Sequence, residues 1–305
     1  MSLFNAVIVL GGIILKCNKN GPESAEKSVK EGRSACIVPI VVIVFWLVFY
    51  LGLGTYFYIT ESVLPKKQYA QATELLAKQQ YEEAHALFSQ IKDYRDGQKK
   101  CADVEVLLAA EANVGDTIHF GNYNKKSHGR EGALEWIVLA KQEDRILVIS
   151  KETLGTMNFG RIEGEGAIEY ATRRLPYVME DADEHVEGSW GASLMRGYLH
   201  RSLSGKILNS TQMSKLIETV HTDCNNASTK DKLFLLSMDE AKQYFATDGD
   251  RQLGDGWWLR TAGEEEDEFC YVNDKGEICE GADGKTVGEY FGVRPAMWIN
   301  IGAEG

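Results

Sequence analysis

The residues best suited to contact a ligand are a tryptophan and two arginines near the C-terminal end of the sequence. If 257–260 (WWLR) is a β-strand, Trp258 and Arg260 point to the same face, because successive side chains of a strand alternate between faces. Arg294 has the equivalent position in the later run 293–299. One pairing of these strands would bring both arginines close to the acidic loop 264–268.

These residue types allow two interpretations. An arginine fork binds a carboxylate or phosphate through two parallel hydrogen bonds, and an aromatic face binds a sugar ring or a cation. Trp258, Arg260 and Arg294 would then form a ligand-binding site for an anion or a sugar. Alternatively, the arginines close buried ion pairs and the tryptophans fill the core.

Patterns typical of catalysis and metal binding are missing from the sequence. The histidines show no HExxH or other paired metal-ligand spacing, and no GxSxG, Walker A or GxGxxG motif occurs. The acidic runs EEEDE and MEDADE lack the spacing of an EF-hand. We therefore expect a protein that is not an enzyme and has no catalytic residue, metal ligand or cofactor. The six histidines of the sequence are His85, His119, His128, His185, His200 and His221.

The cysteines form no CxxC motif, but Cys270 and Cys279 flank the turn sequence VNDKGE. A two-residue loop would place them directly opposite each other and permit a disulfide. A three-residue loop with Gly276 in the left-handed conformation would shift the register by one residue and point them to opposite faces. The glycine favours the second register.

A membrane-spanning helix is predicted over residues 36–60, after an N-terminal segment of residues 1–35. No charged residue occurs between positions 34 and 60, and the apolar run exceeds the roughly 20 residues that cross about 30 Å of hydrocarbon. Tyrosines at its C-terminal end suit the membrane interface. The apolar stretch 3–15 is too short to predict a second span with the same clarity, so its relation to the membrane is left open.

The distribution of charge predicts the orientation of the chain in the membrane and excludes one class of partner. Five basic residues precede the predicted helix and two, Lys66 and Lys67, follow it closely. This bias favours a single-pass protein whose C-terminal part lies outside the cell membrane. The net charge is −12, and residues 1–60 carry +2, so the remainder carries −14. Such an acidic body repels phosphates, and we expect no nucleic acid partner.

Residues 65–112 are predicted to form a short helical stalk. Apolar residues recur at helical spacing in two stretches that are separated by a turn at 78–80, and a third helix covers 98–112. The sequence QYAQATELLAKQQYEEAHALFSQI resembles one tetratricopeptide-type helical hairpin. That resemblance implies a protein-binding groove, whereas a stalk would bury its own apolar face.

Residues 113–302 are predicted to form one globular α+β domain. Strands come first, then helices, then strands again, and no βαβ alternation is present, which is typical of a mixed, mostly antiparallel sheet. Ser237 and Glu240 match a capping box at the start of a helix. The predicted strands are 117–120, 134–140, 145–150, 231–236, 256–261, 269–272, 277–279 and 293–299, and the predicted helices are 193–208, 211–220 and 238–245.

The order of motifs in this domain resembles a widespread uncharacterised bacterial C-terminal domain. The motifs are SWGASLMRGYLHRSL, KLFLLSMDEAKQYF, GWWLRTAG, YVNDKGEI and GVRPAMWIN, and the resemblance covers about residues 114–301. The sequence departs from that pattern at 196–199, where RGYL stands in place of Arg-x-Trp-Leu. More distantly, WWLR…GVRP is similar to C-type-lectin-like and formylglycine-generating-enzyme-like folds, which implies terminal strands that pair with each other. The catalytic cysteine pair of the latter enzymes has no match here.

Together these features predict a membrane-anchored, non-catalytic ligand-binding or scaffold module displayed outside the cell membrane. Its partner would be a glycan, an anionic ligand or a protein. One alternative is a cell-surface enzyme with a formylglycine-generating-enzyme-like fold, acting through the long charged loop 155–190. Another is a structural envelope protein that recruits partners through the helical stalk.

Overall fold

The computed structural model describes residues 25–123, 132–160, 189–191, 193–222, 228–254, 256–265, 268–280, 285–286 and 288–302. The apolar stretch 3–15, the acidic run 179–184 and most of the loop 155–190 lie outside the described residues, as do His128 and His185. The chain divides into two compact units, Met1–Leu64 and Pro65–Gly305.

The first unit contains the predicted long apolar helix. Helix α1, Ala25–Tyr58, continues into a π-helical turn at Ile59–Val63. Within the described residues, one helix is long and apolar enough to cross a membrane. The candidate span begins at Val41. Its large side chains, including Phe45 and Leu51, are exposed. A helix that leaves apolar residues exposed on all sides matches the predicted membrane helix.

Three helices open the second unit and pack around their own small core. They are α2 (Leu64–Ala77), α3 (Tyr81–Gln90) and α4 (Gly97–Glu111), and α2 and α3 are joined by the predicted turn at 78–80. Ala72 and Ala84 are fully buried. The rings of Tyr69 and Phe88 meet edge to face at 5.8 Å. The tetratricopeptide resemblance itself stays a prediction.

Helix α4 also contributes to the main core, so the helices and the sheets form one compact unit. Ala109 belongs to the main hydrophobic cluster. The Lys141 ammonium group donates hydrogen bonds to the last-turn carbonyls of Ala110 (2.6 Å) and Ala112 (2.8 Å). A lysine at this position stabilises the negative end of the helix dipole.

The rest of the unit consists of two main sheets, one hairpin and short helices. The strands are β1 Thr117–Tyr123, β2 Gly132–Lys141, β3 Arg145–Ser150, β4 Thr156–Asn158, β5 Leu216–Ile217, β6 Thr219–Thr222, β7 Ser228–Asp231, β8 Trp257–Ala262, β9 Glu268–Val272, β10 Ile278–Cys279, β11 Lys285–Thr286, β12 Tyr290–Gly292 and β13 Ala296–Asn300. The helices are α5 Leu194–Gly197, α6 Ser204–Ile207, α7 Ser210–Ser214, α8 Met238–Tyr244 and α9 Asp248–Arg251, and a π-helical turn, Tyr198–Leu203, joins α5 to α6.

Almost all pairings are antiparallel, which confirms the predicted α+β class. The first sheet has the order β1-β2-β3-β13-β5, and the second has the order β10-β9-β8-β12-β4 with β11 against β9. The single parallel contact among the described strands joins Gly292 of β12 to Trp257 of β8. Strand β13 lies between β3 and β5 rather than beside β1. The terminal-strand pairing implied by the lectin-like resemblance is therefore not observed.

Local predictions succeeded where one short signal decided the structure. The hairpin of β2 and β3 forms as expected, and Ser237 and Glu240 make both hydrogen bonds of the capping box. Cys279 lies opposite Tyr271, and Gly276 has φ +86°, so the second register is correct. Among the described cysteines, Cys101, Cys270 and Cys279 are thiols.

Two predicted elements were wrong. Residues 211–220 do not form one helix: the side chain of Asn209 caps the short helix α7, and two strands follow. Residues 231–236 do not form a regular strand, since β7 ends at Asp231 and one bridge, Phe234 to Ala296, continues the pairing. In both places pairing with β13 or β7 overrides the local sequence preference.

Candidate functional site

A cleft of about 360 Å³ lies beside the C-terminal end of β8 in the second unit. Its chemistry is dominated by hydroxyl groups, which come from four separate places in the chain. It also contains one guanidinium group, Arg260, one exposed carboxylate, Asp239, and the indole of Trp190. The hydroxyl-bearing residues that line it are Ser189, Thr222, Ser237 and Thr261.

Arg260 lines the cleft, but its charge is already matched by a carboxylate of the protein. Its two terminal nitrogens donate to the two carboxylate oxygens of Glu240, the longer of the two bonds being 3.0 Å. One of these nitrogens also donates to the carbonyl of Leu235 at 3.0 Å. Burial alone would raise the pKa of Glu240, but the hydrogen bonds and charge of Arg260 outweigh it, and that pKa is lowered. The guanidinium group is therefore fixed and neutralised.

The hydroxyl groups differ in how much hydrogen-bonding capacity they keep. Ser189 is only 4% exposed, and its buried hydroxyl has no hydrogen-bond partner among the described residues. The Thr261 hydroxyl accepts from the backbone N–H of Met238 at 2.9 Å, and that of Ser237 accepts from Glu240 N–H at 3.1 Å. Both hydroxyl protons can still be donated to a ligand.

Behind the cleft, a buried carboxylate holds the Trp190 wall in place. Asp231 is fully buried, and one of its oxygens accepts from Trp190 Nε1 at 2.9 Å and from the Thr229 hydroxyl at 2.7 Å. Its other oxygen meets Arg196 Nε and His200 Nε2, both at 2.7 Å. Burial would raise the pKa of Asp231, but the His200 hydrogen bond and the Arg196 charge hold it well below its usual range. The network fixes α5 and the following π-helical turn to β7.

The two other predicted ligand-binding residues lie in the core. Trp258 is fully buried and donates from its indole nitrogen to the carbonyl of Met157 at 2.9 Å. Arg294 is 2% exposed; its guanidinium carbon lies 5.0 Å from the ring of Trp257, and its Nε donates to Ser150 O at 2.9 Å. Burial lowers the pKa of Arg294 to about 10. Trp258, Arg260 and Arg294 thus have separate sets of neighbours.

A second group of titratable side chains lies in the helical part of the same unit. The potential ligand atoms of His85, Cys101 and Glu105 all lie within 4.8 Å of one another. Cys101 and Glu105 are buried, and His85 Nε2 lies 3.3 Å from a Glu105 oxygen. Hydrogen bonding to Cys101, and then to Glu105, raises the pKa of His85 to about 10. These are residue types that can hold a metal ion.

Sequence reasoning missed both buried groups, although each carries a recognisable signal. Arg196 and His200 are four residues apart in a helical stretch, and so are Cys101 and Glu105. Residues at this spacing share one face of a helix. Their partners, Asp231 and His85, are distant in sequence from the helices that they meet.

Comparison with known proteins places the C-terminal part of the chain. No curated protein and no solved structure matches it. A family model described as a domain of unknown function, DUF6273, matches residues 143–301, which confirms the expected relation to an uncharacterised C-terminal domain. The match includes every residue that lines the cleft and leaves out the His85 cluster. Because it covers more than half of the 305 residues, the chain belongs to the DUF6273 family.

Proposed function

We propose that this protein is a membrane-anchored, non-catalytic binding module that takes a neutral, hydroxyl-rich ligand, such as a glycan segment, in the Arg260 cleft. The observation that carries the proposal is the buried hydroxyl of Ser189, which has no hydrogen-bond partner among the described residues and lies among three further hydroxyl side chains. A buried polar group without a partner is costly, and a ligand hydroxyl would satisfy it. The volume of about 360 Å³ lies within the roughly 300–1,000 Å³ typical of ligand pockets.

The charges in the cleft favour a neutral ligand over an anionic one. Arg260 is engaged on both sides of its fork by Glu240, so its guanidinium group offers little net attraction to a carboxylate or phosphate. Asp239 adds an exposed negative charge. A carboxylate accepts hydrogen bonds readily from sugar hydroxyl groups but repels an anion. The chemistry of the cleft therefore supports a sugar.

The proposed location is outside the cell membrane, with the apolar helix as the anchor. Five basic residues before the apolar stretch of that helix and two shortly after it support this orientation under the positive-inside rule. A strongly acidic body outside the membrane would also be repelled by anionic lipid headgroups, which leaves its surface accessible to polymers of the envelope.

The test is binding by the full-length protein in a nonionic detergent, measured by isothermal titration calorimetry. The probes are neutral oligosaccharides of glucose and N-acetylglucosamine and the matching oligosaccharides of glucuronic acid. We expect a neutral oligosaccharide to bind, and Ser189→Ala or Asp239→Asn to weaken it about tenfold, the effect of one lost hydrogen bond. Glu83→Gln removes an exposed first-turn carboxylate of α3 and should leave binding unchanged.

Equal binding by the wild type and both cleft variants would contradict the proposed site. A preference for glucuronic acid oligosaccharides would contradict the proposed ligand class. Release of reducing ends during long incubation would contradict the non-catalytic role and support the enzyme alternative.

A further inference from the structure

We propose that His85, Cys101 and Glu105 form a binding site for a divalent transition metal ion of the zinc type. Cys101 and Glu105 lie one turn apart on α4, and His85 faces them from α3. Sulfur, imidazole nitrogen and carboxylate oxygen are the three donor types that zinc accepts in proteins.

The distances suit a tetrahedral ion. Zinc bonds of about 2.0 to 2.3 Å place neighbouring ligand atoms roughly 3.3 to 3.8 Å apart in a tetrahedron. His85 Nε2 and the Glu105 oxygen are 3.3 Å apart, and all three ligand atoms lie within 4.8 Å of one another. Small side-chain rotations would therefore close the site without a change in the helices.

The surroundings of Glu105 support a ligand role. Glu105 is 4% exposed, and a buried carboxylate needs a compensating positive charge, which the ion would supply in place of the proton on His85. Its second oxygen accepts from Gln212 Nε2 at 2.6 Å, and the Gln212 amide is itself oriented because its oxygen accepts from Asn209 N–H at 3.0 Å. An outer hydrogen bond of this kind fixes a ligating carboxylate and frees its first oxygen for the ion.

The site has a route to solvent through a second cleft. The His85 side chain is 22% exposed and lines a cleft of about 570 Å³. Glu82, Glu111 and Asp116 line the same cleft, and their carboxylates raise the local concentration of cations. Water from this cleft can supply the fourth ligand. The ion would tie α3 to α4 and, through Gln212, to α7.

The first experiment uses Co²⁺ as a spectroscopic probe on the full-length protein in detergent, after removal of bound metals by a chelator. We expect one equivalent of Co²⁺ to give a sulfur-to-cobalt charge-transfer band that Zn²⁺ abolishes by displacement. Cys101→Ser should remove the band, whereas Cys279→Ser, at a half-buried thiol outside the cluster, should keep it. Gln212→Ala should keep the band but weaken affinity about 10- to 100-fold.

The second experiment uses only the wild-type protein, so its result does not depend on whether a variant folds. X-ray absorption of the wild-type protein loaded with one equivalent of Zn²⁺ should show one sulfur at about 2.3 Å and nitrogen or oxygen ligands at about 2.0 to 2.1 Å. No sulfur, or two or more sulfurs, in the zinc shell would overturn the proposal. So would a cobalt band that survives Cys101→Ser.

Discussion

The buried histidine of the β6–β7 hairpin makes stability depend on pH in a calculable way. His221 is 4% exposed, its ring lies 4.2 Å from that of Phe234, and its Nε2 has no hydrogen-bond partner among the described residues. Burial, and then the positive charge of Arg260, lower the pKa of His221 to about 4. In the folded protein the imidazole is therefore neutral at pH values where a solvated histidine is protonated.

The sign of the effect follows from proton uptake. Between about pH 6.5 and 4 the unfolded chain binds a proton at His221 that the folded protein does not. The free energy of unfolding therefore falls as the pH falls through this window. For a shift of this size, the contribution lost between about pH 7.5 and about pH 5 is about 2 kcal/mol.

The assay is urea-induced unfolding of the full-length protein in a nonionic detergent at these two pH values, followed by tryptophan fluorescence. His221→Phe keeps a ring against Phe234 and removes the titrating group. Because other groups titrate equally in both proteins, the difference between wild type and variant isolates His221. We expect the wild type to lose about 2 kcal/mol more than the variant on acidification. His119→Gln, at an exposed position of β1, should behave as the wild type does. Equal losses in the wild type and His221→Phe would refute the reasoning.

Two further predictions use the same unfolding assay at neutral pH. Gly115 and Gly276 both have positive φ. A Cβ at Gly276 would also overlap a backbone carbonyl of α9, whereas a Cβ at Gly115 would have no atom within 4 Å. Gly115→Ala should lower the free energy of unfolding by about 1 to 2 kcal/mol because of backbone strain, and Gly276→Ala should lower it by about 1 to 3 kcal/mol more. Equal decreases for the two variants would contradict the overlap at Gly276. Asp231→Asn leaves Arg196 buried beside an uncharged side chain and should cost about 3 to 5 kcal/mol. Since the pKa of Asp231 is lowered by folding, this difference should shrink as the pH falls below about 4, and a cost under about 1 kcal/mol would contradict the role of the network.

The sequence predicted those parts of the fold in which neighbouring residues decide the conformation. The apolar run after residue 34, the hairpin around 141–145 and the Ser237 capping box each depend on signals within a few residues. Residues 211–220 were predicted wrongly because their conformation depends on a distant partner: Ile217 pairs with Trp298 across the sheet. Single-sequence periodicity contains no information about that pairing.

The candidate site was predicted in part for the same reason. Arg260 was selected for its chemistry and lines the cleft, but its carboxylate partner proved to be Glu240, which the sequence showed only as a helix cap. Trp258 and Arg294 lie in the core, where each donates a hydrogen bond to a backbone carbonyl, Met157 O and Ser150 O respectively. Which residue types can bind a ligand is visible in a sequence, whereas which of them are already engaged depends on the tertiary structure.

The position of β13 has a consequence for the order in which this protein can be made. Its residues, Ala296–Asn300, follow all the other described strands in the sequence, yet they form an interior strand that joins β3 to β5. During synthesis, the inner edge of β3 stays unpaired until residue 300 has left the ribosome. The nascent domain therefore exposes an unpaired strand edge throughout that interval, while the apolar helix, made much earlier, has already left the ribosome.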